Sequence, residues 1–239
     1  MGRFLTKVEQ MGSLNKINES LWILLLVAIP FTSSPLVAYF SGGSTVSPLS
    51  GIPLILLFGL WYVPNFFRSR KIPKVAVPLL LFFGVALLST VFAVFLEHRP
   101  FQGQESITRS FRAMLTLVLG ISFYLVVAGY PNTPQKVTRS LRWLYVGSFV
   151  MLLWSTIQIF IVFRDASIPK EIWLLHRVFS TRDMLYTRVT GMAYEPSWLA
   201  NLLVILYIPL WLSSVIRGFS AFPYRFRKIS IEHVLLLWG

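Results

Sequence analysis

"VAVPLLLFFGVALLSTVFAVFL", residues Val75 to Leu96, holds no acidic or basic side chain. The hydrocarbon core of a bilayer is about 30 Å thick and a helix rises about 1.5 Å per residue, so roughly 20 apolar residues cross it. This stretch meets that length. Working outward, five more runs approach the same standard: Leu21–Phe40, Ser50–Phe67, Ala113–Gly129, Trp143–Phe163 and Pro196–Ile216. A seventh begins near Ile231 and stops at Gly239, too short to cross. The expected fold is all-α, a polytopic membrane helix bundle forming one transmembrane domain over 1–239. It has six complete crossings plus the start of a seventh, and the chain reads as the N-terminal part of a longer one. The first run lacks a small-x-small cleavage pattern and is followed by further spans, so it reads as a retained helix and not a signal peptide. Prolines recur near span ends, at Pro48, Pro53, Pro64, Pro78, Pro196 and Pro209, and imply bent or re-aimed helices.

Composition agrees. Hydrophobic residues make up 55% of the chain, charged residues 13%, and the mean hydropathy is +0.67. A soluble domain carries about 25% charged residues. The net charge of +13 sits in short connectors between apolar runs, as in membrane proteins, and no soluble basic face for nucleic acid is evident. There is no cysteine, which excludes disulfides and thiolate metal sites.

Lysine and arginine in the connectors set the orientation. With the N-terminus inside, 14 basic residues fall on the cytoplasmic side and 8 outside. The expected location is the bacterial inner membrane, multi-pass, N-terminus cytoplasmic. Seven of the eight outer basic residues are arginine, among them Arg109, Arg112, Arg182 and Arg188, and six acids share that side. Partial pairing accounts for such a mixture; anion binding is the sharper alternative. Residues 164–195 form a long external loop, a length often tied to function. Within it "SIPKEIWLLHRVF" reads as a surface-lying helix: Ser167 and Pro169 suit its start, and Ile168, Ile172, Leu175 and Phe179 fall at helical spacing.

None of the six crossings contains Asp, Glu, Lys, Arg or His, which weighs against a proton-driven transporter. Chemistry is therefore expected at the outer surface. "RVTGMAYEPSWLANLL", residues 188–203, places both signs of charge against an apolar run. A structural reading is open: Pro196 fits a first helical turn, Glu195 lies near the positive end of the helix dipole, Gly191 allows a turn, and Ser197 and Asn201 can bond a neighbouring helix. A functional reading uses the same geometry, because a helix entering from outside offers free N–H groups to an anion, and arginine's planar fork suits phosphate. Arg109 and Arg112 open the fourth span on one helical face with Thr116; lipid headgroup contact or a Glu105–Arg109 bridge is the structural alternative.

The pattern RxxGxxxEPSxxA, formed by Arg188, Gly191, Glu195, Pro196, Ser197 and Ala200, resembles the bacterial polysaccharide polymerase and O-antigen ligase superfamily, the Wzy and WaaL proteins. Its sequence-specific part is about fifteen residues. Ligases more often show proline-asparagine where this chain has Glu195-Pro196-Ser197, so the likeness leans to a polymerase of exopolysaccharide, capsule or O-antigen. The resemblance implies transfer of a glycan from undecaprenyl diphosphate to an acceptor sugar outside the inner membrane, without cofactor or metal. It assigns Arg188 to the diphosphate and Glu195 to orienting Arg188 or accepting the acceptor's proton. Arg109, Arg112, Arg182, Gly191, Ser197 and Asn201 would line the substrate, and other polysaccharide assembly proteins are possible partners alongside membrane lipid. The ligases place a base histidine in a later external loop, a motif that His98 and His176 do not match. The alternatives are an O-antigen ligase, a lipid-linked oligosaccharide transporter, or a non-catalytic envelope assembly protein. No Walker loop, HExxH, GxSxG or Asp-x-Asp is present.

Overall fold

A computed structural model describes residues 2–40, 46–70, 73–94, 106–163, 168–185, 187–226 and 229–239, with the side chains of 2–12 left aside. Of the described residues 77% are helical and almost none are in strands, which makes the fold all-α. It divides into two compact units, Met1–Pro53 with Thr133–Gly239, and Leu54–Asn132.

The first unit is built around α7, Pro134–Phe163. At about 1.5 Å per residue it is about 45 Å long, enough to cross a bilayer and project from it. Leu144, Ser148, Met151, Ser155 and Gln158 recur at helical spacing and are all buried. The serine hydroxyls donate into their own helix, Ser148 to the Tyr145 carbonyl and Ser155 to the Met151 carbonyl, both at 2.8 Å. Small residues let neighbouring backbones come close. Gly147 shows this: a Cβ there would lie 2.9 Å from the Val27 carbonyl oxygen.

The neighbour at that point is α1, Gly2–Val27, which runs parallel to α7. Glu19 pairs with Arg139, and the Trp22 indole N–H donates to Ser140 Oγ at 2.8 Å. The last crossing, Pro196–Ile216, runs antiparallel to α7. It comprises α9 (Pro196–Asn201), a π-helical turn (Leu202–Tyr207) and α10 (Ile208–Ile216). Here the Tyr145 hydroxyl meets Ser214 Oγ at 2.9 Å, and Tyr207 and Trp211 are fully buried with stacked rings. A short antiparallel pair, β1 (Arg225–Phe226) and β2 (Ile229–Ser230), leads into α11, Ile231–Trp238. Ser230 and His233 close a capping box at its start, and the Trp238 indole donates to Thr156 Oγ1 at 2.8 Å near its end.

The second unit holds α3 (Gly51–Leu57) from Leu54 on, a π-helical turn (Phe58–Tyr62), α4 (Val63–Ser69), a 3-10 turn (Lys74–Ala76), α5 (Val77–Val94) and α6 (Ser106–Gly129). Its core is Ala76, Ile121 and Leu125, ringed by aromatic and leucine side chains such as Phe58, Tyr62, Leu80 and Phe83. Both π turns precede a proline, Pro64 or Pro209. Proline has no N–H to give the carbonyl four residues back, and its ring crowds that carbonyl. Those carbonyls, of Leu60 and Ile205, lie inside the widened turns, which relieve the clash.

Among the described residues five helices are long and apolar enough to cross a membrane: Gly51–Ser69, Lys74–Ala93, Arg109–Gly129, Pro134–Val162 and Pro196–Ile216. They match five of the six expected crossings, and α11 forms at the expected seventh. The first, Leu21–Phe40, is not one helix. α1 stops at Val27, residues 28–34 are non-helical, and only α2 (Pro35–Phe40) follows. Pro30 cannot donate to the Leu26 carbonyl, which ends the helix, and Pro35 restarts it. The freed backbone pairs elsewhere: the Ser34 N–H donates to the Ser47 carbonyl at 2.8 Å, Ser47 to Thr32 at 3.2 Å, and Leu49 to Phe31 at 2.9 Å, a parallel bridge. Ser33, Ser34 and Ser47 are buried. Irregular backbone at membrane depth survives only when enclosed this way.

Candidate functional site

Beyond the C-terminal end of α7 the chain forms α8, Lys170–Phe179, the helix expected in the long loop. Its buried face is centred one residue past the expected stripe: His176 is buried, Ile172 and Phe179 partly so, and Leu175 is exposed. The reason is Trp154 on α7, whose ring stacks on His176 at 6.0 Å and meets Phe179 edge-on at 5.4 Å. The His176 Nε2–H donates to the Arg182 carbonyl at 2.9 Å, and Nδ1 accepts from the Trp154 indole at 3.3 Å. Both ring nitrogens are occupied, which fits one neutral tautomer. Burial lowers the pKa of His176, against a smaller raising effect of the Arg182 carbonyl. It is a structural histidine that sets the course of the chain into Arg182; His98 lies outside the described residues.

The turn 190–191 is held by an uncharged polar side chain within a span. Gln158, buried in α7, accepts the N–H groups of Thr190 at 3.0 Å and Gly191 at 2.9 Å through Oε1, and donates Nε2 to the Gly191 carbonyl at 3.0 Å. Gly191 has φ +59°, and a Cβ there would meet Ser155 Oγ at 2.8 Å. Glycine is required twice over, by conformation and by space. A lone glutamine in the apolar run "STIQIFIVF" was the available signal, since an amide at such depth persists when it has partners.

From Gly191 the chain reaches Tyr194, whose N–H donates to Thr32 Oγ1 at 3.0 Å. Ser33 Oγ and Thr181 Oγ1 hydrogen-bond, and the Thr181 N–H donates to the Ser33 carbonyl at 2.9 Å. The interrupted first segment thus ends inside the site. Glu195 caps the crossing with its backbone carbonyl, which accepts from Trp198 and Leu199. Its carboxylate caps none of the helix N–H groups: Oε1 accepts from Arg182 Nη1 and Oε2 from Ser197 Oγ, each at 3.4 Å. Arg182 also donates to the Tyr194 carbonyl at 3.4 Å and lies over the Tyr194 ring at 5.0 Å. The partner of Glu195 is therefore Arg182, not Arg188 as the resemblance implied. Arg188 stands seven positions before Glu195, but the intervening chain is drawn inward to Gln158 and leaves Arg188 exposed, with no hydrogen-bond or ion-pair partner among the described residues.

One turn below Glu195 an open, mostly apolar groove of about 400 Å³ is lined by Thr32, Trp198, Asn201, Leu202, Ile205 and Leu206. Asn201 faces this groove. Arg109 and Arg112 belong to the second unit, exposed in the first turns of α6; the Arg112 carbonyl accepts from Thr116 Oγ1 at 2.9 Å. Glu105, weighed as a partner of Arg109, lies outside the described residues. No group of three or more His, Cys, Asp or Glu poised for a metal occurs among the described residues. Comparison with family models, curated proteins and solved structures gives no match.

Proposed function

We propose that the chain is a membrane glycosyltransferase of the polysaccharide polymerase type, which moves a glycan from undecaprenyl diphosphate to an acceptor sugar at the outer side of the bacterial inner membrane. One observation carries the reading. The Arg182 guanidinium is held by the Tyr194 ring and the Glu195 carboxylate at the entrance of an apolar crossing, one turn above a groove open along that crossing. Such a place suits a ligand with a charged head and a long hydrocarbon tail. As the glycosidic bond to the diphosphate breaks, charge grows on the leaving oxygens, and a pre-placed guanidinium stabilises it without a metal. Arg182 supplies the fixed charge and exposed Arg188 a second one. Glu195 orients Arg182, and Asn201 and Thr32 meet the head of the tail.

The test is complementation of a deletion strain by Arg182→Ala and Arg188→Ala proteins shown to be correctly inserted. Losing one charge-assisted hydrogen bond costs about 1.5–3 kcal/mol, so each variant is expected to lower polymer formation at least about tenfold. Short lipid-linked units should still appear outside the membrane. Units trapped inside indicate a transporter, and loss of only the final attachment to lipid A core indicates a ligase. Unchanged polymer in both variants sinks the proposal.

A further inference from the structure

At the opposite end of α7 lies a larger groove, about 770 Å³, lined by Gln135, Thr138, Arg139, Arg142, Trp143 and Phe222 among others, all in the first unit. From the geometry of this groove we infer a binding site for the headgroup of an anionic phospholipid, distinct from the outer site and independent of the activity proposed there.

Both guanidiniums sit where the helix changes character. Residues 134–142, "PQKVTRSLR", are polar and basic, and from Trp143 the sequence is apolar. A lipid phosphate resides at such a border, with tryptophan at the level of the headgroups. Arg139 and Arg142 stand three apart, on one helical face. Each is tethered through part of its fork: Arg139 to Glu19, and the Arg142 Nε–H to the Ala221 carbonyl. The Ala221 peptide is fixed in turn, because its N–H donates to the buried Glu232 carboxylate at 2.8 Å. That carboxylate is taken up further by Ser220 Oγ at 3.0 Å. The arginines are thus held in place while further N–H donors of each fork remain for a ligand. The helix dipole is not the attraction, since Thr133 already caps the first turn through its hydroxyl and carbonyl.

The apolar part of the lining, Trp143, Val146 and Phe222, suits the glycerol and upper acyl region of a lipid and offers nothing to a free phosphate. Basic pockets beside membrane helices select anionic headgroups on this principle, each cation near the surface adding roughly fivefold in affinity.

The experiment is native mass spectrometry of the full chain, solubilised with equal phosphatidylglycerol and phosphatidylcholine. Wild type is expected to retain phosphatidylglycerol preferentially. Arg139→Gln and Arg142→Gln should each cut that preference roughly fivefold. Glu19→Gln, which frees the Arg139 fork, should raise it. The opposite signs of Glu19→Gln and Arg139→Gln separate lipid binding from mere loss of the α1–α7 ion pair, which both variants break. Equal retention of the two lipids by wild type overturns the inference, as does a fall in preference with Glu19→Gln. Displacement of the lipid by glycerol phosphate at equal concentration would make this a free-phosphate site and overturn it too.

Discussion

α5 and α7 make an instructive pair. By composition α5 is the more apolar crossing, yet only about 6% of its apolar stretch is buried within the protein, against 44% for that of α7. In water that order would be reversed. In a bilayer the surroundings are as apolar as leucine, so hydrophobicity marks what can face lipid or another apolar partner and does not mark a core. What identifies the interior of the first unit is the set of small and polar residues on α7: Gly147, Ser148, Ser155 and Gln158.

The strongest way to break that contrast is Gln158→Leu, which makes α7 more apolar. It removes three hydrogen bonds and leaves the buried Thr190 and Gly191 N–H groups without a partner. At about 1–3 kcal/mol per orphaned donor, a loss of about 2–6 kcal/mol is expected. It should appear as a lower melting temperature in detergent and faster proteolysis between residues 180 and 195. A stable variant with an intact loop would refute the role given to the amide.

Next in size is the glycine pair. Gly147→Leu drives a side chain into the Val27 backbone and is expected to cost about 1–3 kcal/mol. Gly84→Leu, with nothing within 4 Å of its Cβ position, should stay within about 0.5 kcal/mol. Thermal unfolding of both variants decides it. A large loss at Gly84 would mean that α5 packs against another element and does not face lipid.

The smallest effect is that of pH. Burial holds the folded-state pKa of His176 below its ordinary 6.5, so the unfolded loop takes up a proton that the folded loop refuses. The His176 contribution is complete above pH 6.5 and is lost progressively as pH falls below it. Proteolysis at residues 180–195 should accelerate on acidification in wild type and much less in His176→Phe. α5 holds no titratable side chain and should show no such dependence.

Much of this was legible in advance because a crossing is a local property. Five apolar runs became five helices, and Pro196–Ile216 appears with the limits read from sequence. The first run misled because its hydropathy is diluted by Pro30, Ser33, Ser34 and Pro35, whose conformation depends on a partner at residues 46–49. In the site, Gly191 and Glu195 stood out from their neighbours alone. The pairing of Glu195 with Arg182 did not, since it follows from Gln158 pulling the chain inward and from His176 and Trp154 guiding Arg182 into place. Those contacts cross up to 33 positions, and local spacing says nothing about them.

The bond between Thr32 and Tyr194 spans 162 positions. At a synthesis rate of about 5–20 residues per second, roughly ten seconds or more separate the emergence of its two ends from the ribosome. Throughout that interval the kinked N-terminal arm lacks the loop that later encloses it, and until residue 163 has been made it also lacks the complete long helix. Insertion of this protein therefore demands a shelter for a half-built polar backbone, and a nascent chain stalled before residue 133 should be a target for quality control.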